Sequence, residues 1–85
     1  MEPEWEDVRA RLMALPMRLI RPIGRMRFMG SLGGASAKAE YVGEMIASMR
    51  YWWDHAENGQ EQVNDVLLMI ENAEHMYAVD KVRKG

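Results

Sequence analysis

No cysteine occurs in these 85 residues. That excludes disulfides and thiolate metal sites, and it favours a reducing, intracellular setting. Long apolar runs are missing as well. Nowhere do about 18 uncharged apolar residues follow one another, so no transmembrane helix is expected. The opening acids Glu2, Glu4, Glu6 and Asp7 carry the wrong sign for a secretory signal. Cytoplasmic residence is the default expectation. His55 and His75 alone remain as soft metal ligands.

These absences bear on stability. A chain this short is one domain and buries roughly 60–65% of its unfolded surface, a marginal core for a monomer. Domains below about 80 residues usually lean on disulfides, a metal or self-association. With cysteine missing and ligands few, oligomerisation is the support left open.

What is present is unevenly spread. From Val8 to Leu32 the chain carries Arg9, Arg11, Arg18, Arg21, Arg25 and Arg27 and no acid, whereas nine acids face five bases from Gly33 onward. The two parts can attract each other, or the basic part can serve an anionic partner.

Trp5, Val8, Leu12, Leu15 and Leu19 follow a 3–4–3–4 spacing, the mark of a narrow apolar stripe. Pro3 suits a first helical position, and the acids beside it favour the positive end of the helix dipole. A helix is predicted over about residues 3–15. Pro16 lacks an N–H and disfavours α geometry at Leu15, so it ends or kinks that helix. Pro22 repeats the interruption, leaving Met17 to Arg21 room for one short turn. Gly24, Gly30, Gly33 and Gly34 then mark residues 16–35 as an irregular connecting segment rich in Arg, Gly and Pro. The glycine cluster is no phosphate loop, because no lysine with Ser or Thr follows it in the required order.

Residues 36–83 read as two amphipathic helices. Ser36 is a fair N-cap, and Val42, Met45, Ile46, Met49, Trp52, Trp53 and Ala56 recur on an arc of about 140°. Asn58-Gly59 is a stop signal, through glycine's tolerance of left-handed geometry. Val63, Val66, Leu67, Ile70, Ala73 and Tyr77 then share one face, which Met69 and Met76 widen, while Leu68 and Val79 fall on the far side. The expected fold is all-α: an antiparallel hairpin of about 36–58 and 60–83, packed with the N-terminal helix and completed by oligomerisation. A rival is one continuous coiled-coil helix, because Val42, Met49, Ala56, Val63, Ile70 and Tyr77 stay in heptad register through Gly59.

Two helices cannot bury all the apolar surface these display. Tyr51, Trp52 and Trp53 are consecutive and span about 200° of a helix, so they cannot all face one neighbour. Aromatics beside an arginine, here Arg50, have the composition of an interface hot spot. Arg50, Tyr51, Trp52, Trp53, Met69 and Met76 are therefore the expected partner-binding residues. The alternative is an anionic or nucleic-acid contact through Arg18, Arg21, Arg25 and Arg27, with Met and Phe interleaved. The blander outcome has those arginines pairing with acids of the later helices.

Catalytic constellations are scarce. Ser31 and Ser36 lie in the linker with no histidine nearby in sequence. Glu71, Glu74 and His75, with Asp54, His55 and Glu57, resemble a carboxylate-rich bundle site, but Glu71 and His75 lie away from the apolar arc. Neither enzyme activity nor a metal or cofactor is expected. The functional expectation is a small helical protein acting by protein–protein binding in a regulatory, inhibitory or assembly role. That type includes the short inhibitors encoded by phages and other mobile elements. A nucleic-acid binder and a self-assembling structural subunit are the alternatives.

Overall fold

Apolar residues spaced three and four apart draw four α-helices in the described residues: α1 (Trp5–Met13), α2 (Met17–Arg27), α3 (Lys38–His55) and α4 (Gly59–Lys84). The computed structural model describes residues 1–28, 32 and 37–84, and no strand occurs among them. The fold is all-α. None of these helices is long and apolar enough to cross a membrane.

The first helix starts after extended Glu4, with Glu6 and Asp7 in its first turn. It closes through the Ala14 N–H, which donates to the Ala10 carbonyl at 3.0 Å. Pro16, extended at φ −72° and ψ 153°, then begins α2 rather than an irregular stretch.

Here the structure corrects the sequence expectation. Eleven residues of the anticipated connecting segment are helical, and α2 passes through both Pro22 and Gly24. Pro22 removes its own N–H bond and crowds the Arg18 carbonyl, but it is exposed, so both penalties fall on the solvent side of the helix. Burial outweighs them, because Ile20, Ile23 and Gly24 form an inward stripe. Gly24 earns its place by close approach. A Cβ there would meet the Tyr41 hydroxyl oxygen at 1.9 Å, so α2 can lie against the Tyr41 ring only without a side chain.

The chain does not run as one long helix through Gly59. α3 ends at His55, Ala56 turns extended (φ −86°, ψ 145°), and residues 56–58 lead into α4. Gly59 serves a purpose other than the left-handed stop anticipated for it. It is the first residue of α4 and is buried, and a Cβ on it would sit 1.6 Å from the Trp52 carbonyl oxygen. The unbroken heptad register has a simple source: Val42, Met49, Val63 and Ile70 are the core seams of two separate helices. α3 takes Ala37 as N-cap with no side-chain capping bond, and the expected cap Ser36 lies outside the described residues.

In packing, α3 and α4 lie on each other, α1 covers α3 and α2 covers α4. One core results. Trp5, Val8, Leu12 and Leu15 enter from the first segment, and Ile20, Ile23 and Phe28 from the second. Val42, Met45, Ile46 and Met49 meet Val63, Val66 and Ile70 between the last two helices. No charged or polar side chain is buried among the described residues. The core is held by apolar burial alone, at roughly 25 cal/mol per Å² of surface removed from water.

Candidate protein-binding surface

The three consecutive aromatics of α3 part company, as helical geometry requires. Trp53 packs edge-on against Trp5 of α1, with ring centroids 6.4 Å apart at 81°. Trp52 stacks on Phe28, at 4.8 Å and 21°. Both tryptophans are only partly buried but are taken up within the chain. Tyr51 is left outside at 64% exposure, its ring 4.7 Å from that of His55. Arg50 is exposed next to it. Phe28 was missed from sequence because it falls in the segment anticipated as irregular.

Met69 and Met76 flank a shallow groove between α2 and α4, with Leu19, Pro22, Ile23, Asn72 and Ala73. Met69 is partly covered there, whereas Met76 is exposed. Asn72 donates from Nδ2 toward the Met76 sulfur at 4.0 Å, a weak contact.

Most of the arginines are engaged. Arg11 of α1 donates to both Glu74 carboxylate oxygens, from Nε at 3.0 Å and a terminal nitrogen at 2.7 Å. That fork holds the Glu74 carboxyl below its usual range and the Arg11 guanidinium above its own, the hydrogen bond being the main cause of each. Arg18 pairs with Asp80 at 3.3 Å and Arg27 with Asp65 at 3.6 Å, so α2 is tied to α4 at both its ends. Arg21 lies over the Tyr41 ring, 5.5 Å from its centroid. No ion pair involves Arg25 or Arg50 among the described residues. Arg18, Arg21 and Arg25 share one exposed stripe of α2, within about 60° of each other, and Arg27 lies on another side.

The far side of α4 completes the picture. Leu68, Val79 and Val82 are 64%, 40% and 80% exposed, with exposed Asn72 and His75 between them. These five residues keep a 4–3–4–3 spacing, a seam directly opposite the buried Val63, Val66, Ile70 and Ala73. The sequence showed Leu68 and Val79 as strays. Asn72 and His75 masked the seam, and Val82 went unnoticed.

For chemistry the surface offers little. Among the described residues no three His, Asp or Glu side chains gather where a metal ion could sit. Glu74, one of the carboxylates considered for such a site, is committed to Arg11.

The chain is thus an all-α, four-helix module whose distinctive feature is apolar surface outside its own core. No protein-family model matches it, no curated protein matches it, and no solved structure matches it.

Proposed function

We propose that this protein is non-enzymatic and acts by binding another protein chain, in a regulatory, inhibitory or assembly role. One observation carries the reading: α4 presents apolar side chains on both sides, and only one side meets the core. Lone exposed leucines are ordinary, but a periodic row along one helix face is what partner helices recognise. Tyr51 and Arg50, on α3, add a second exposed patch of interface composition. Trp52 and Trp53 contribute less to a partner than their types suggest, because Phe28 and Trp5 already cover them.

The test is affinity capture from the cells that make the protein, comparing the natural chain with Leu68→Glu. Leu68 is exposed, so the variant keeps the fold. Retained proteins that disappear with Leu68→Glu support the reading. Identical sets from both chains would sink it.

A second reading, an anionic or nucleic-acid partner, is favoured by the Arg18, Arg21 and Arg25 stripe. Against it, Arg18 and Arg27 are paired with Asp80 and Asp65, which lowers the positive field such binding needs. Gel shifts with generic duplex and single strands at low salt decide it. No retardation at tens of micromolar is the expected result.

A further inference from the structure

We infer that the occupant of α4's outer seam is a second copy of this chain, its α4 lying antiparallel to the first. The inference rests on the protein-binding reading and names the partner. The seam carries both a knob and a hole on one face. Leu68 projects from the seam at 64% exposure. Farther along the same helix, His75, Ala78, Val79 and Val82, with Arg83 beside them, border a shallow depression. Positions i, i+3, i+4 and i+7 are the four that form the hole receiving a knob when two helices pack side by side. Knob and hole therefore sit on one seam, separated by three helical turns.

That arrangement is self-complementary under a two-fold axis that runs alongside α4, perpendicular to the helix pair and level with the step between Ala73 and Glu74. Turning a copy about that axis places its Leu68 over Val79, inside the hole, and returns the favour on the other side. The same rotation sets Asn72 opposite the second copy's His75, where amide and imidazole can hydrogen-bond. Met69 and the second copy's Met76 come within one helical turn of each other along one margin. A polar pair within an apolar seam costs stability and fixes register.

Charge selects the antiparallel direction. The first half of α4 carries Glu61, Asp65 and Glu71 and no base, whereas its second half carries Lys81 and Arg83, with Glu74 and Asp80 of that half paired to Arg11 and Arg18. A parallel pair would set Glu61 against Glu61 and Arg83 against Arg83. The antiparallel pair brings Glu61 toward the second copy's Arg83 and opposes the two helix dipoles. Among the described residues no other element takes this seam: α2 and α3 pack on α4, yet Leu68, Val79 and Val82 stay exposed. A contact between two single helices would bury about 1,000 Å², the size of the weak, reversible specific interfaces.

Two measurements test this on the full chain. Sedimentation from about 1 to 500 μM should show monomer giving way to dimer, and Leu68→Glu should raise the dissociation constant by at least ~30-fold. Circular dichroism should show the variant as helical as the natural chain. The chain has no cysteine, so single-cysteine variants report direction cleanly. Mixed under a glutathione couple, Leu68→Cys and Val79→Cys should give chiefly the mixed disulfide. Preferential Leu68→Cys self-linkage would overturn the antiparallel register. A monomer at 500 μM would overturn self-pairing altogether. These failures are separable from failure of the broader reading. A monomer that still captures another protein in a Leu68-dependent way loses the second copy and keeps protein binding.

Discussion

Arg11 and Glu74 stand 63 residues apart in the chain and meet through two hydrogen bonds of 3.0 and 2.7 Å, joining α1 to α4. No other ion pair in the described residues links these two helices. Each side chain is about a third exposed, so solvent screens the attraction and the fork is of moderate strength. Glu74→Gln is expected to lower stability by about 1 kcal/mol at neutral pH. The sign with pH follows from the lowered carboxyl pKa. The contribution is complete above the ordinary carboxylate range and is lost as pH falls through the lowered value. Arg11, raised further, stays charged throughout. Urea unfolding of both chains from neutral to acid pH should show their difference shrinking toward zero.

Gly59 is tested by the smallest possible change. Gly59→Ala drives a methyl into the Trp52 carbonyl, a backbone atom that cannot swing aside. A loss of about 2–3 kcal/mol is expected, despite alanine's better helix propensity. A gain in urea midpoint would show that α4 approaches the end of α3 loosely enough to admit a methyl group.

Phe28 follows from its stack on Trp52. It is 2% exposed, and Phe28→Ala should cost about 3–5 kcal/mol, a large share of the stability of so small a domain. Phe28→Leu, which keeps most of the volume, should cost about 1.5 kcal/mol and change tryptophan emission. Calorimetry and fluorescence on the leucine variant read this even if the alanine variant fails to fold.

The aromatic run predicts a contrast between neighbours. Tyr51→Ala should leave stability within about 0.5 kcal/mol, because the ring packs on nothing in the core. Trp53→Ala removes the edge contact with Trp5 and should cost more than about 1 kcal/mol. Parallel thermal melts of the two variants suffice, and equal losses would mean that Tyr51 packs as firmly as Trp53.

Pro22 is expected to be a net cost to α2. Pro22→Ala restores an N–H for the Arg18 carbonyl at an exposed position, partly offset by greater freedom of the unfolded chain. A gain of about 1 kcal/mol in urea unfolding is expected.

Some of this was written in the linear chain. Period alone located α1, α3 and α4 and most of their buried faces, because 3–4 spacing specifies which side of a helix is apolar wherever that helix packs. Excess apolar surface was legible too, since three consecutive aromatics cannot share one neighbour. The run through Pro22 and Gly24 was not legible. Proline and glycine report a local backbone penalty, whereas the Tyr41 ring and the Ile20 and Ile23 burial that outweigh it come from elsewhere in the chain. The fate of Trp52 and Trp53 was equally hidden, because Phe28 and Trp5 lie 24 and 48 residues away. Composition and period thus determined an all-α chain with apolar surface to spare. Only tertiary packing decided which of that surface stays open. It covered the tryptophans, paired Arg11, Arg18 and Arg27 with acids of α4, and left the Leu68 to Val82 seam bare. Burial is a property of pairs of elements, and no single helix records its partner.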